Sequence, residues 1–314
     1  MTDCFVHIPK TAGSTVLTLI TQNYAPTEAA SIYGDFQTVF ARSTSLVGRA
    51  AGYKLIHGHF PYGTHLNLGL RAARYFFFLR HPVERHFSDV AHGLREARHG
   101  AHSYLTAPGS GPSTWATVSD KWIGFRNTTT HYLSGAFFSK EIDLTDFHRA
   151  AQAVQESEFV GISERFNESV LIMARKLGWS KVLYEKVNVA SNPLKDVVTP
   201  ALWKACESRL SYDLGLYEIA RERFDRDARS YGSLLREAAS QLKELVDLQI
   251  KAFPDLDKTR YFAGDPLPFS QRMGVTYRAD SPLALWVANK TENRQWLAHT
   301  LANATSSGRQ PVHA

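Results

Sequence analysis

The chain has 314 residues, of which 44% are hydrophobic and 21% charged, as in a globular protein with a hydrophobic core, and its net charge of +6 favours anionic partners. No apolar run reaches the roughly 18 residues of a membrane span, and the N-terminal residues lack the pattern of a secretory signal, so we expect a cytoplasmic protein with no membrane span. Two cysteines, Cys4 and Cys206, make neither a disulfide framework nor a zinc site, which fits a reducing compartment.

The first hundred residues predict strands that alternate with helices. Apolar runs bounded by polar turns indicate strands, and apolar residues at helical spacing indicate helices. Pro82 is expected at the first position of a helix, where its missing N–H costs nothing. The alternation is typical of an α/β protein with a parallel sheet flanked by helices. Strands are predicted at residues 4–8, 53–56 and 75–79, and helices at 15–22, 36–47 and 82–98.

The remainder of the chain predicts a loop, one more strand and several helices. Residues 100–119 are rich in Gly, Pro, Ser and Thr and are interpreted as a mobile surface loop. We divide the chain into a domain at 1–232 and a mainly helical extension at 233–314, which ends in a disordered tail and packs on the core or forms a homodimer contact. The elements expected here are a strand at 159–161, a helix capped by Ser163, a helical region from Thr199 and Pro200 to 224, and a helix at 233–253.

The loop after the first strand has the composition of a phosphate site. Lys10 and several hydroxyl residues precede a predicted helix start, where backbone N–H groups bind phosphate. In the usual nucleotide P-loop the lysine follows the last glycine, whereas Lys10 stands three residues before Gly13. No carboxylate is well placed at a strand end to hold the magnesium ion of an NTPase. The loop alone also fits an ordinary turn between a strand and a helix.

A second phosphate site is predicted at the end of the strand at 75–79. Arg80 stands at the strand end and Ser88 follows two helical turns later, so a guanidinium fork and a hydroxyl are available to one phosphate. Taken singly, Arg80 fits a surface ion pair with Glu84, and Ser88 fits a solvent-facing helix position. Two phosphate sites on one sheet suit a nucleotide that carries phosphates at both ends.

Two histidines at the end of the strand at 53–56 are candidates for a general base. His57 and His59 flank Gly58 where α/β sheets bind ligands, and in an extended chain both point to the same face. An imidazole with a pKa near 6.5 is largely neutral at working pH and still basic. The alternative is that both are structural. His7 precedes the first loop and is interpreted as a packing residue.

Two of these segments resemble motifs of the carbohydrate sulfotransferase family that includes the heparan sulfate 2-O- and 6-O-sulfotransferases. HIPKTAGST resembles the family's 5′-phosphosulfate loop, and LRHPVERHFS resembles its 3′-phosphate motif, typically R-[DN]-P-x-x-R-x-x-S. Three further segments resemble the family more weakly and occur in the same order along the chain: HGHF, NTTTHYLSG and FVGISERFNESV. The resemblance covers residues 4–215. It implies a P-loop-like α/β fold and 3′-phosphoadenosine-5′-phosphosulfate (PAPS) as the donor, with no metal required.

The resemblance also implies roles for individual residues. Arg80 and Ser88 hold the 3′-phosphate, and His59 resembles the catalytic base of the 2-O-sulfotransferases, with His57 orienting the substrate or the base. Ala12 stands where the family often has Gly, and His81 where it usually has Asp or Asn. The residues expected to hold the 5′-phosphosulfate are Lys10, Thr11, Ala12, Gly13, Ser14 and Thr15.

The predicted reaction is sulfuryl transfer from PAPS to a hydroxyl of a carbohydrate or glycoconjugate. Transfer of this kind needs in-line positioning, a base, and positive charge on the leaving phosphate, for which we choose His59 and Lys10. A P-loop small-molecule kinase or NTPase and a catalytically inactive nucleotide-binding protein stay open as alternatives. Nucleic acid is not expected as a partner, because no helix-turn-helix or aromatic RNA-binding motif occurs.

The binding site for the acceptor is predicted from the positions of basic residues alone. They are expected to line a channel for a hydroxyl-rich or acidic glycan that the loop at 100–119 covers, although such a run also fits a solvated helix face. These residues are Arg71, Arg74, Arg85, Arg95, Arg98, His99 and His102.

Overall fold

The computed structural model describes residues 1–33, 42–96, 111, 126–136, 141–184, 198–252 and 286. The strands among them are β1 (Thr2–Val6), β2 (Ala29–Ile32), β3 (Leu55–Gly58), β4 (Ala73–Leu79) and β5 (Phe159–Ile162). The helices are α1 (Gly13–Asn23), α2 (Thr64–Asn67), α3 (Pro82–Glu96), α4 (Thr128–Ser134), α5 (Leu144–Glu156), α6 (Phe166–Leu177), α7 (Pro200–Glu207), α8 (Ser211–Arg229) and α9 (Gly232–Ala252). None of the helices in the described ranges is both long and apolar enough to cross a membrane.

The five strands form one parallel sheet in the order β2-β3-β1-β4-β5. After β1 the chain continues to β2 on one side of the sheet, and after β4 it continues to β5 on the other side. The strand order therefore reverses between β1 and β4, and open α/β sheets bind ligands outside the carboxyl ends of the strands at such a point. The predicted α/β fold, with a parallel sheet flanked by helices, is confirmed.

Aromatic side chains form much of the centre of the sheet. Phe5 of β1 stacks on Phe76 of β4, with ring centroids 5.2 Å apart, and Phe78 meets Phe159 of β5 edge-on at 5.9 Å. All four rings are buried. Parallel strands are covered on both faces, which is why β4 is a continuous apolar run and not an alternating one. The buried strand predicted at 75–79 is thus confirmed.

Helices α3 and α7 pack through the apolar face of α3. Val83, Phe87 and Val90 lie at helical spacing and contact Cys206 and Leu210 near the end of α7. The start of α7 is capped as predicted, because Thr199 Oγ1 accepts a hydrogen bond from Leu202 N at 3.2 Å and Pro200 occupies the first helical position. This packing fixes the direction of α3, whose first residues follow the end of β4.

The chain divides into two compact units. The first contains residues 1–13, 28–164 and 190–224, and with them the whole sheet. The second contains residues 14–27, 165–189 and 225–314. In the second unit Gln22 Nε2 donates to Leu183 O at 2.9 Å, and Trp286 Nε1 donates to Leu171 O of α6 at 3.0 Å. The helix predicted at 233–253 is present as α9.

Several elements differ from the sequence prediction. Ser163 does not cap a helix; it begins a short 3-10 helix, and its hydroxyl donates to Thr11 O at 3.1 Å. Strand β2 and helices α2 and α4 were not predicted because they are short, whereas α5 was not predicted although Asp143 and Asp146 form a capping box at its start. Of the helix predicted at 36–47, the structure describes residues 42–47, of which 42–46 are helical, and the loop predicted at 100–119 lies outside the described residues except for Gly111.

Candidate functional site

The loop between β1 and α1 has an unusual backbone. Lys10 and Ala12 both have left-handed conformations, with φ of 67° and 68°. Non-glycine residues rarely adopt positive φ, and such strained positions cluster at ligand-binding sites. Thr11 lies between them, buried, and its hydroxyl donates to Ile8 O at 2.8 Å. The side chain of Thr11 therefore closes the loop, and its remaining contribution to an anion is its backbone N–H.

Gly13 is required by a neighbouring side chain. A Cβ atom at this position would lie 2.0 Å from Cδ2 and 2.2 Å from Nε2 of His7. Carbon atoms pack no closer than about 3.5 Å, so only glycine leaves room for the imidazole. The predicted loop and His7 are thus one packed unit. The interpretation of His7 as a packing residue is confirmed by its burial, but its predicted place within the strand is wrong, since β1 ends at Val6 and His7 opens the loop.

Three histidines and a tyrosine meet at the carboxyl ends of β1, β2 and β3. His7 Nδ1 lies 2.9 Å from the Tyr33 hydroxyl, and His57 Nδ1 lies 3.5 Å from the same oxygen. The rings of Tyr33 and His59 meet edge-on, with centroids 4.9 Å apart, and those of His7 and His59 are 4.6 Å apart. The structure therefore brings His57 and His59 to one cluster, which we call the histidine cluster: His7, Tyr33, His57 and His59.

Gly58 gives the strand end its shape. Its φ is 151°, and an added Cβ would lie 1.9 Å from the carbonyl oxygen of Ile32 in β2. The backbone of β2 is fixed by its pairing with β3 and cannot shift to make room for a side chain, so residue 58 must be glycine. This close approach of β3 to β2 holds His57 and His59 against Tyr33, which follows β2 directly.

The proton position on His59 follows from its hydrogen bond. Nδ1 of His59 lies 2.6 Å from the carbonyl oxygen of His7. A carbonyl only accepts, so Nδ1 carries the proton and Nε2 of the neutral ring carries the lone pair. This is the tautomer that a general base needs, held by the backbone of the adjacent loop.

Burial keeps the three imidazoles neutral. Desolvation lowers the pKa of His57 to about 4. It also lowers the pKa of His7 well below its usual value, with smaller contributions from the neighbouring His59, His57 and Lys10. The pKa of His59 is lowered by burial, while its bond to the His7 carbonyl and the charge of Asp89 act in the opposite direction. His59 therefore stays neutral at neutral pH.

Arg80 and Ser88 lie on one face at the start of α3. Arg80 Nη2 is 3.2 Å from Glu84 Oε2, and both side chains are substantially exposed. Arg80 precedes α3 and its side chain reaches Glu84 in the first turn, and Ser88 follows Glu84 by four residues on the same face of the helix. The ion pair that the sequence offered as the alternative for Arg80 is thus present. An exposed pair of this kind is worth only about 0–1 kcal/mol, so it exchanges readily for another anion.

Arg85 does not line a channel. It is fully buried; its Nη2 donates to Thr128 Oγ1 at 2.9 Å, and its Nη1 lies 3.7 Å from Asp89 Oδ2. Within the described residues, its Nε and Nη1 have no hydrogen-bond partner. A buried guanidinium is tolerated only beside a counter-charge, so Arg85 fixes Asp89, the carboxylate whose charge reaches His59.

The other predicted channel residues are equally dispersed. Arg74 pairs with Asp3 at 2.7 Å, at the amino end of the sheet, and Arg71 is exposed. Arg98, His99 and His102 lie outside the described residues, as does the side chain of Arg95. The prediction of one basic channel is therefore wrong for Arg74 and Arg85.

His81, which stands between Arg80 and Pro82, packs among aromatic rings. Its imidazole stacks on Trp203 with centroids 5.3 Å apart and meets Tyr217 edge-on at 5.5 Å. Its backbone N–H donates to Glu164 Oε1 at 2.8 Å, and the Tyr217 hydroxyl donates to the other oxygen of the same carboxylate at 3.1 Å. The backbone at the end of β4 is thereby anchored to the segment that follows β5.

The chain matches no protein-family model and no curated protein sequence. The structure adds Tyr33, Asp89 and Tyr132 to the residues that sequence reasoning selected. Tyr132 belongs to α4, and its carbonyl accepts a hydrogen bond from Tyr62 N at 2.8 Å, beyond the end of β3. Burial, and next the charge of Asp89, raises the pKa of Tyr132, so its phenol stays protonated. Tyr132 lies within the NTTTHYLSG segment that resembles the family, but its neighbourhood with Tyr33 and Asp89 is visible only in the fold.

Proposed function

We propose that this protein is a cytoplasmic sulfotransferase that moves a sulfuryl group from PAPS to a hydroxyl of a carbohydrate or glycoconjugate. The observation that carries the proposal is that two segments suited to anion binding follow adjacent strands of the sheet. The loop of Lys10 to Gly13 follows β1, Arg80 follows β4, and the strand order reverses between these two strands. Neighbouring strands are about 4.8 Å apart, so both segments open into the same crevice.

The 5′ end of the donor is assigned to the loop after β1. Its left-handed residues, Lys10 and Ala12, have the positive φ that also occurs in anion-binding nests, where successive backbone N–H groups converge on a ligand. Lys10 adds a positive charge on a mobile stem. Gly13, the first residue of α1, supplies one further N–H group, which has no partner within the helix.

The 3′-phosphate is assigned to the face of α3 that carries Arg80 and Ser88. Arg80 leaves Glu84 and forks onto the phosphate, an exchange that costs little because the ion pair is exposed. Glu84 stays nearby as a like charge that weakens the phosphate contact. Removing the negative charge of Glu84 is therefore expected to strengthen binding of the 3′-phosphate, which provides a specific test of the assignment.

The chemistry follows from His59 and Lys10. The donor supplies a sulfuryl group already bonded to a good leaving group, 3′,5′-adenosine bisphosphate. Nε2 of His59 accepts the proton of the acceptor hydroxyl as the oxygen–sulfur bond forms, and Lys10 offsets the negative charge that grows on the phosphate as the old sulfur–oxygen bond breaks. His59 is in the state that a base requires, since burial lowers its pKa and keeps the imidazole neutral.

Turnover with PAPS and a panel of hydroxylated glycans tests the role of His59. Release of 3′,5′-adenosine bisphosphate is measured for the wild type, for His59→Gln, and for His148→Gln as a control on the exposed side of α5. We expect His59→Gln to lower turnover about 100-fold or more without changing nucleotide affinity, and the control to match the wild type. Full activity in His59→Gln would exclude it as the base. Hydrolysis of ATP with magnesium, with no turnover of PAPS, would favour a P-loop kinase or NTPase instead.

A further inference from the structure

A cavity of about 420 Å³ opens in the first unit, beside helix α4. This volume is within the range of about 300–1,000 Å³ that small-molecule sites occupy. The cavity contains none of the residues assigned to the donor or to the base. It is lined by Arg126, Asn127, His131, Glu141, Ile142, Ser208, Arg209, Ser211 and Tyr212.

One wall of the cavity is rigid, because α4 is locked to the start of α8. Asp213 is fully buried, and its two carboxylate oxygens accept from Thr129 N at 3.1 Å, from Thr130 N at 2.8 Å and from the Thr130 hydroxyl at 2.8 Å. In return Asp213 N donates to Asn127 Oδ1 at 3.0 Å. These four bonds hold Asn127 and the wall to which it belongs in one position before any ligand arrives.

A positive charge and an aromatic ring also line the cavity. Arg209 is half-buried, and its Nη1 donates to Ala205 O at 3.0 Å, which holds the guanidinium at the end of α7. The Tyr212 ring packs at 5.7 Å from the Phe147 ring of α5. A guanidinium and an aromatic face, both held in place, suit a ligand that has a charged end and a carbon skeleton whose C–H groups can pack on the ring.

The rim of the cavity contains an ion pair that a ligand can replace. Arg126 Nη1 lies 3.2 Å from Glu141 Oε1, and the Glu141 side chain is 75% exposed. Such a pair is weak, so an incoming carboxylate takes the place of Glu141 at little cost. The lining has two arginines and one glutamate, a net charge of +1 that matches a monoanion better than a phosphate dianion.

We propose that this cavity binds a small hydroxylated carboxylate. The acid group of the ligand contacts Arg126 and Arg209, and its hydroxyls contact the surrounding polar side chains. The bidentate geometry of arginine fits a carboxylate. Ser208, Ser211 and Asn127 provide the hydroxyl and amide groups that pair with hydroxyls of a ligand. The site is separate from the donor site: Asn127 and His131 lie four residues apart on one face of α4, whereas Thr128 and Tyr132 lie on the face toward Arg85 and the histidine cluster.

Calorimetric titration with three matched probes tests the proposal. Gluconate has a carboxylate and hydroxyls, acetate has only the carboxylate, and sorbitol has only the hydroxyls. We expect gluconate to bind the full chain at least tenfold more tightly than acetate or sorbitol. Arg209→Gln and Arg126→Gln are expected to lower gluconate affinity about tenfold each, whereas Lys204→Gln, an exposed basic position on α7 outside the cavity, leaves it unchanged.

Two results would overturn the proposal. Equal affinity for acetate and gluconate would mean that the hydroxyl contacts do not form, and gluconate binding that survives both arginine substitutions would place the ligand elsewhere. Arg126→Gln breaks the ion pair with the exposed Glu141 and leaves the hydrogen bonds of Asp213 intact, so this variant is expected to fold and to report on binding. Nucleotide affinity is measured in the same samples, so failure of this site is distinguishable from failure of the proposed function.

Discussion

The contact between Gly13 and His7 makes a quantitative prediction for Gly13→Ala. The new Cβ would lie 2.0 Å from His7 Cδ2, and a carbon–carbon contact needs about 3.5 Å, so the imidazole must move by about 1.5 Å. That movement breaks the 2.9 Å contact between His7 Nδ1 and the Tyr33 hydroxyl. Overpacking costs about 1–3 kcal/mol and the lost hydrogen bond about 0.5–1.5 kcal/mol.

A helical position normally favours alanine over glycine, which offsets part of this cost. Gly13 is the first residue of α1, and the exchange is worth about 0.5–1 kcal/mol at an interior helix position. We therefore expect Gly13→Ala to lower the free energy of unfolding by about 1–4 kcal/mol. Urea denaturation of the full chain measures this value.

A double-mutant cycle identifies the cause. When His7 is already alanine, the imidazole is absent, so Gly13→Ala is expected to be neutral or to stabilise the protein by up to about 1 kcal/mol. An equal loss of stability in the wild type and in His7→Ala would refute the reasoning. It would mean that the glycine is needed for its backbone conformation and not for the space above it.

Three other substitutions test separate parts of the structure. Ala12→Gly removes a left-handed alanine and is expected to raise the free energy of unfolding by up to about 1 kcal/mol. The control Ala151→Gly, inside α5, is expected to lower it by about the same amount. A lower free energy of unfolding in both variants would contradict the left-handed conformation of Ala12. Burial lowers the pKa of His57 to about 4, so the unfolded chain binds a proton at this imidazole more tightly than the folded chain does. The free energy of unfolding is therefore expected to decrease by up to about 1.4 kcal/mol per pH unit as the pH falls from about 6.5 to about 4. His57→Gln is expected to flatten that slope in urea titrations, and an unchanged slope would contradict the burial of His57. Trp286→Ala removes a buried indole that packs 4.0 Å from the Arg175 guanidinium. It is expected to lower the free energy of unfolding by about 3–5 kcal/mol, measured by thermal or urea unfolding. A change below about 0.5 kcal/mol would show that the indole does not pack there.

The sheet was predictable where the apolar pattern is strong. The YFFFL run of β4 is buried on both faces and continuous in sequence, so it indicated a central strand without help from its neighbours. Strand β2 was missed because AASI is short and only weakly apolar. Its omission also hid Tyr33, whose position beside His57 and His59 depends on β2 pairing with β3.

Site residues were predictable only where they lie in local motifs. Lys10, Arg80 and His59 stand next to strand ends, and that property is visible in the sequence. Burial of Arg85 was not visible, because it depends on Thr128, which is 43 residues away in the chain. Helical spacing put Arg85 on a helix but could not show that another helix covers it.

The central claim is that the face of α3 holds a 3′-phosphate. Magnesium-free calorimetric titration with 3′,5′-adenosine bisphosphate and with 5′-AMP tests it most directly, on the wild type, Arg80→Ala, Glu84→Gln and the control Arg221→Ala on the exposed surface of α8. We predict that the wild type prefers the bisphosphate, that Arg80→Ala abolishes the preference, that Glu84→Gln strengthens it, and that Arg221→Ala changes nothing. Equal binding of the two nucleotides, or an undiminished preference in Arg80→Ala, would contradict the account.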